Sequence, residues 1–180
     1  MIEISYLQMV AFISVIWIII RAFCWVKTKG INIKRELQML LVYICIVVIV
    51  RFTFCPFGKV DGKIQPLLFD PVRILPCWLN LRPFVHLLDY PTMKEASLNL
   101  IGNTALFIPL GIVWPAVFKK LDSHKKVISA GFGMSLAIEL LQLLFYDRAT
   151  DIDDLILNTL GFLIGYGIYL LAKKLQKNKM

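Results

Sequence analysis

Charged residues are scarce in this chain of 180 residues, where Asp, Glu, Lys and Arg together make up 18%. Hydrophobic residues make up 58%, and the mean hydropathy is +0.72. A soluble domain of this length needs more polar surface, because most of its residues lie at or near water. The composition therefore argues against a soluble domain and predicts a polytopic membrane protein.

The sequence also lacks the usual motifs of metal and disulfide chemistry. It has four cysteines but neither a CxxC pair nor an HExxH motif, so it offers no ready-made zinc site. A disulfide between Cys55 and Cys77 is open, although nothing in their spacing demands one. The first residues, MIEISYLQMV, include an acid where a signal peptide has basic residues, which predicts that the first hydrophobic segment is retained.

Long hydrophobic stretches are what the sequence has in abundance. A membrane-spanning helix needs about 20 mostly apolar residues. Five stretches qualify, namely 4–26, 37–56, 98–118, 127–146 and 155–172. They predict an all-α fold, a polytopic membrane helical bundle of about five transmembrane helices.

Small residues recur four positions apart in two of these stretches, at Gly131 with Ser135 and at Gly161 with Gly165. This spacing predicts close contacts between helices.

Basic residues are concentrated in three segments between or after these stretches, at 27–36, 119–126 and 173–180. The positive-inside rule makes these segments cytoplasmic, with the N-terminus outside and the C-terminus inside. Counting Arg21, the inner side then holds 13 of the 20 Lys and Arg residues but two of the 12 acids. The lysines act as topology anchors near anionic lipid headgroups, so we expect no nucleic-acid partner.

This orientation can be tested with a membrane-impermeant thiol reagent on intact cells. Cys77 lies in the outer connection, residues 57–97, and should be labelled when it is reduced. A cysteine introduced at Ser123, in the basic segment 119–126, should stay unlabelled because the membrane shields it. Labelling of the Ser123→Cys variant in intact cells would overturn the orientation.

Part of the outer connection is amphipathic. The segment PVRILPCWLNLRPF, residues 71–84, carries Arg73, Trp78 and Arg82 among mostly apolar residues. We expect its apolar face to lie along the outer leaflet of the membrane.

Polar side chains recur inside three of the predicted spans, where a central charge costs roughly 2.5–3.5 kcal/mol on insertion scales. In each span they share one helix face, because they are three or four residues apart. The three sets are Asn99 with Asn103, then Ser135 with Glu139 and Gln142, and finally Asp154 with Asn158 and Gly161. With a rise of 1.5 Å per residue, Asn103, Glu139, Gln142 and Asn158 all fall within about 10 Å of the outer helix ends. The agreement in depth predicts one polar cavity that opens to the outside.

The stretch DRATDIDDLILN, residues 147–158, forms the predicted rim of this cavity. It places four aspartates and Arg148 at the start of the last span, where Thr150 or Asp151 can cap the helix. Asp153 and Asp154 then fall in the first helical turn, where the helix dipole favours acids. The alternative is that the aspartates are only caps and that the buried amides only join helices by hydrogen bonds. Glu139 is less easily explained in this way, because a carboxyl at that depth must be protonated, paired or hydrated.

Four motifs, in order along the chain, resemble the VanZ-like family of small bacterial membrane proteins. They are NLRPF (80–84), NLIGNTALFIPLGI (99–112), SLAIELLQ (135–142) and RATDIDDLILNTLGFLIGY (148–166). The chain departs from the family pattern at Phe162, where a second glycine often follows Gly161. The resemblance divides the chain into two N-terminal transmembrane helices, residues 1–60, and a VanZ-like domain, residues 61–180. It implies a multi-pass protein of the bacterial cell membrane, and some members are linked to resistance against teicoplanin-type glycopeptide antibiotics.

Two functions remain open from the sequence. The first is binding of membrane lipids or a lipid-linked cell-wall precursor, which would lower glycopeptide action; Arg148 would hold an anionic group and the buried polar residues would orient it. The second is an intramembrane hydrolase or transferase on a lipid-linked substrate, with Glu139 as general acid or base. We expect no cofactor, although the aspartates of the rim have the oxygen ligands that Mg²⁺ and Ca²⁺ prefer. The candidate ligand-binding residues are Asn99, Asn103, Glu139, Gln142, Arg148, Asp151, Asp153, Asp154 and Asn158.

Overall fold

The computed structural model describes residues 2–55, 59–60, 62–70, 79–84, 92–146 and 148–178. The helices are α1 (Tyr6–Thr28), α2 (Ile33–Phe54), α3 (Met93–Val117), α4 (His124–Gln142) and α5 (Ile152–Lys177). The strands are short and comprise β1 (Ile2–Ile4), β2 (Lys59–Val60), β3 (Lys63–Ile64), β4 (Leu67–Phe69), β5 (Leu79–Asn80) and β6 (Thr150–Asp151). The predicted all-α bundle is confirmed, with strands of two or three residues added in the connections.

Four helices are long and apolar enough to cross a membrane, which makes the chain a membrane protein. Among the described residues they are α1, α2, α5 and the part of α3 from Ala96 to Val117. The exception is α4, with 19 residues and a start at His124, Lys125 and Lys126. Four of the five predicted spans are therefore helices with the length and hydropathy of a membrane span. The remaining one, α4, is a more polar helix than we expected.

The chain forms two compact units, residues 1–69 and 70–180. In the first unit, α1 begins at a capping box, in which Ser5 and Gln8 each bond the other's backbone N–H. It ends at Lys29, whose left-handed backbone returns its N–H to the last carbonyls of the helix. Asn32 then caps α2, so two residues separate this end from the next start. The tight connection makes α1 and α2 a helical hairpin, and β1 pairs antiparallel with β4 in the same unit.

Among the described residues, side-chain hydrogen bonds join α1 to α2 at two places. The hydroxyls of Ser14 and Tyr43 are 2.6 Å apart. Further along, the Arg21 guanidinium donates to both carboxylate oxygens of Glu36, with 2.9 Å between Nε and Oε2. A bidentate Arg–carboxylate pair fixes orientation as well as contributing energy. Arg21 thus neutralises the acid of α2 within an otherwise apolar hairpin.

A double-mutant cycle on Arg21→Met and Glu36→Gln should show coupling. Since each side chain is the hydrogen-bond partner and counter-charge of the other, we expect an interaction free energy of about 1–3 kcal/mol. The measurement is the free energy of unfolding of the purified protein in detergent. Strictly additive effects of the two substitutions would show that the pair is only a surface contact.

In the second unit, α3 and α5 approach at glycines. A Cβ atom on Gly161 would lie 1.9 Å from the backbone oxygen of Thr104, and one on Gly165 would lie 2.1 Å from that of Ile108. Gly111 of α3 is equally close to the backbone of Phe162. The small-residue pair predicted at Gly161 and Gly165 is therefore confirmed as a close helix contact.

The third helix of this unit, α4, packs on another side of α5. A Cβ on Gly131 would collide with the ring of Phe162, and the Ser135 hydroxyl donates to the Leu155 carbonyl oxygen over 3.4 Å. These contacts confirm the predicted role of Gly131 and Ser135 in close packing. Three helices thus surround the polar residues that the sequence singled out.

Several sequence features lie outside the described residues. They are Cys77, Asp147 and most of the predicted interfacial segment, residues 71–78. Cys55 is buried. The disulfide and the interfacial segment therefore stay predictions.

Candidate functional site

The site is built on the N-terminus of α5. Asp151 is the N-cap, and its carboxylate accepts from the backbone N–H of Asp153 over 2.9 Å. Asp153 and Asp154 occupy the first turn. Both features were predicted and are confirmed. The four free N–H groups and the dipole of a helix start stabilise this concentration of negative charge.

A segment from the outer connection, residues 79–84, is fastened to this helix start. Strand β5 pairs in parallel with β6, which brings Asn80 beside Asp151. The Asn80 side-chain amide donates to both Asp151 carboxylate oxygens, over 3.2 and 3.1 Å. At the other end of the segment, the Phe84 backbone N–H donates to Asp153 over 2.9 Å. The carboxylates of the α5 start therefore hold a chain segment about 70 residues away in sequence.

Phe84 is held in an unfavourable backbone conformation. Its φ is 63°, in the left-handed region that bulky residues rarely adopt. Such a conformation costs of order 1–3 kcal/mol and persists only where its surroundings enforce it. The bond from its N–H to Asp153, which is 5% exposed, is the enforcing contact that the structure shows.

Glu139 lies on α4 directly against β6. Its residue is 2% exposed, and one carboxylate oxygen, Oε2, accepts from the Asp151 backbone N–H over 3.1 Å. The Thr150 hydroxyl donates to the Glu139 carbonyl oxygen over 2.7 Å. Asp154 and Asp151 are near enough to repel the Glu139 carboxylate. The buried acid of α4 and the acids of α5 thus form one electrostatic unit.

The third helix reaches the same unit through Asn103. The Asn103 side-chain amide donates to the Asp154 carboxylate. The positive charge of Arg148 also attracts this carboxylate. Arg148 is half-buried, and its backbone N–H donates to the Phe145 carbonyl oxygen. Contacts from α3, α4 and α5 therefore meet at the start of α5, as the common depth predicted.

Asn158 lies one turn along α5 from Asp154, on the same face. It is 1% exposed, and its Oδ1 atom has no hydrogen-bond partner among the described residues. Burying an amide oxygen without a partner costs about 1–3 kcal/mol. Helix packing alone therefore does not explain the burial of Asn158.

We use the name acid cluster for Glu139, Asp151, Asp153 and Asp154 together with Asn103 and Asn158. Two further predicted site residues lie near it in sequence but differ in setting. Gln142 is buried at the end of α4, one turn beyond Glu139. Asn99 is half-buried on α3, and no hydrogen bond joins it to the acid cluster in the described part of the chain.

Sequence reasoning missed three groups of this site. They are the Asn80 amide, the Phe84 backbone N–H and the Thr150 hydroxyl as a partner of Glu139. Only the motif NLRPF pointed toward the first two, because helical periodicity says nothing about contacts between a loop and a distant helix. Thr150 was considered as a cap, and the structure gives it a different partner.

Metal binding at the aspartates is not supported by their arrangement. Among the described residues, no three His, Cys, Asp or Glu side chains are grouped so that they could hold a metal ion. Each aspartate is instead directed at a different donor: Asp151 at Asn80, Asp153 at Phe84 and Asp154 at Asn103. A Mg²⁺ or Ca²⁺ site therefore stays a prediction without structural support.

These features define a helical membrane protein with a buried acid cluster at the start of its last helix. A family model described as VanZ/LLP1 matches residues 40–173, which include every residue of the acid cluster. The chain belongs to this family. It is 34% identical over 101 residues to Protein VanZ of Enterococcus faecium, a match that covers 56% of this chain and 58% of that relative. The alignment therefore spans little more than half of the relative's length. No solved structure matches the chain.

Proposed function

We propose that this chain is a multi-pass protein of the bacterial cell membrane that lowers the action of teicoplanin-type glycopeptides. It would do so by binding a lipid-linked cell-wall intermediate on the outer side of the membrane. The family assignment supports the link to resistance, since the VanZ-like family includes members associated with that phenotype. The orientation predicted by the basic segments puts the start of α5 on the outer side, where such intermediates are exposed to antibiotics.

The observation that carries the proposal is the acid cluster itself. Glu139 is 2% exposed and lies beside two aspartates, Asp151 and Asp154, with which it shares a charge of the same sign. Helices that need only to be joined can use amides and hydroxyls, which hydrogen-bond without repelling one another. A group of carboxylates instead costs stability, and residues that cost stability inside a membrane mark functional sites by default.

Within this proposal each side chain has a separate role. Arg148 would bind an anionic group of the ligand, because a guanidinium suits a phosphate or carboxylate geometrically. Asn103, Gln142 and Asn158 would orient the ligand, and Glu139 would supply the buried charge. Asn99 would contribute at the outer end of α3.

Lipid that co-purifies with the protein provides the test. The protein is purified from its host membrane in mild detergent, and the bound lipids are identified by mass spectrometry. We expect a lipid-linked cell-wall intermediate to be enriched over bulk membrane lipid. The matched control is Glu139→Gln with Asp153→Asn, which keeps side-chain shape and one accepting oxygen at each position while removing two charges.

The double variant should lose this enrichment and keep its amount in the membrane. Equal lipid profiles for the wild type and the variant would contradict the proposed site. Conversion of the intermediate by the wild type, lost in Glu139→Gln, would instead establish the intramembrane enzyme.

A further inference from the structure

The acid cluster has more hydrogen-bond acceptors than donors. Glu139 receives one hydrogen bond from its surroundings, the Asp151 N–H on Oε2, and Asp154 receives one from Asn103 within the described residues. Each carboxylate has two oxygens that together can accept about four hydrogen bonds. Accepting capacity is therefore left over on both side chains. Among the described residues, the cluster therefore has fewer donors than acceptors.

Asn158 points to the same deficit independently of the acids. Its Oδ1 is a buried acceptor without a partner among the described residues. On α5 it lies between Asp154, four residues earlier, and Gly161, three residues later, and both of those contact α3. A buried side chain on this face is enclosed by the helices that form the cluster. Its acceptor therefore lies on the α5 face that carries Asp154, one helical turn further along the helix.

The negative charge of the acid cluster indicates which kind of hydrogen-bond donor a ligand would supply. The cluster contains four carboxyl groups, and Arg148, a cation near it in sequence, attracts the Asp154 carboxylate. In a region of low dielectric, the repulsion between like charges raises the energy of the empty cluster. A bound cation would lower that energy. A neutral hydroxyl would satisfy the acceptors but leave the repulsion in place.

From these observations we infer that the acid cluster binds a protonated primary amine. An ammonium group carries three N–H donors and a positive charge, which matches one spare acceptor each on Glu139, Asp154 and Asn158. The inference rests on the proposed function, since it names the chemical class of the ligand at that same site: an amine-bearing amphiphile of the membrane. Arg148, at the rim, suits an anionic group of the same molecule.

Two amphiphiles of equal chain length separate hydrogen bonding from charge. Dodecylammonium carries three N–H donors, whereas dodecyltrimethylammonium carries the same charge without donors. Each is added at the same mole fraction to the full chain in nonionic detergent, and the unfolding temperature is followed by tryptophan fluorescence. A ligand that binds only the folded state raises this temperature, and the rise grows with the logarithm of the ligand concentration once that exceeds the Kd. We expect dodecylammonium to raise it and dodecyltrimethylammonium to leave it unchanged.

Asn158→Leu removes the unpartnered acceptor and keeps the branched shape and the number of heavy atoms of the side chain. We expect this variant to need about tenfold more dodecylammonium for the same shift, which corresponds to 1.4 kcal/mol. Without ligand it should unfold at the same or a higher temperature than the wild type, because an unsatisfied polar group has been replaced by an apolar one. Thr159→Val is the matched control, since among the described residues the Thr159 hydroxyl donates only within its own helix, to the Leu155 carbonyl oxygen.

Three results would overturn the inference. They are equal shifts by the two amphiphiles, an unchanged response of Asn158→Leu, and a lowered unfolding temperature of that variant without ligand, which would make Asn158 a packing contact. If Asn158→Leu does not accumulate, Glu139→Gln takes its place and should weaken the amine response. This assay measures amine binding without any resistance phenotype, whereas lipid co-purification tests the proposed function. Failure of one can therefore be distinguished from failure of the other.

Discussion

Replacing Gly161 with alanine should remove most of the protein from the membrane. The added Cβ would lie 1.9 Å from the backbone oxygen of Thr104, far inside van der Waals contact, and a backbone atom of a packed helix cannot move aside cheaply. Overpacking of this kind costs about 3 kcal/mol at the upper end of its usual range, a large part of the stability of a small protein. The measurement is the amount of protein in the membrane fraction, followed by the unfolding temperature of what can be purified.

Gly167 provides the matched control on the same helix. Nothing lies within 4 Å of a Cβ built at this position, so Gly167→Ala meets no neighbour. Alanine also favours the helix over glycine by about 1 kcal/mol, and the variant should be as stable as the wild type or slightly more so. Equal abundance of Gly161→Ala and Gly167→Ala would mean that α3 and α5 do not pack as described.

The second large effect is expected at Asp153. Asp153→Ala removes the acceptor of the Phe84 N–H and with it the contact that holds Phe84 at a φ of 63°. Loss of this bond should cost about 1–3 kcal/mol, and local opening of the 79–84 segment should become correspondingly easier. Amide hydrogen exchange at Phe84 should then be faster by about one to two orders of magnitude, since each tenfold change corresponds to about 1.4 kcal/mol.

Asp153→Asn distinguishes the role of the bond from that of the charge. Its side-chain oxygen can still accept from the Phe84 N–H, so exchange at Phe84 should stay near the wild-type rate. Fast exchange in both variants would show that the carboxylate charge holds the segment. Slow exchange in both would show that the segment is held by other contacts.

The helical part of this fold could be predicted because bilayer length and helix capping are local properties of the sequence. The α5 start followed from Asp151 with two acids behind it, and the close contact of α5 followed from Gly161 and Gly165. The meeting of Asn103 with Asp154 followed from depth, since the topology fixed how far each lies from the same membrane surface. These inferences needed only spacing and the direction in which each span runs.

The contacts of residues 79–84 could not be obtained in this way. Asn80 and Phe84 reach α5 from a long connection that has no helical period, and the Phe84 contact is made by a backbone N–H that any residue would supply. Gly111 was missed as a packing position because its partner glycines are on another helix. The bounds of α4 also differ from the predicted span 127–146, because the helix includes the basic residues Lys125 and Lys126 and ends at Gln142.

The central claim is that the charge of the acid cluster serves function and is not needed to hold the helices together. The direct test is teicoplanin susceptibility of a sensitive bacterial host that expresses either the wild type or the Glu139→Gln, Asp153→Asn variant at matched membrane levels. The two substitutions keep shape and an accepting oxygen while removing two charges. We predict that the wild type raises the inhibitory concentration of teicoplanin and that the variant returns it to that of the empty host, with equal protein in the membrane. Full resistance in the variant would contradict the claim. It would show that the cluster only holds its neighbouring segments against the start of α5.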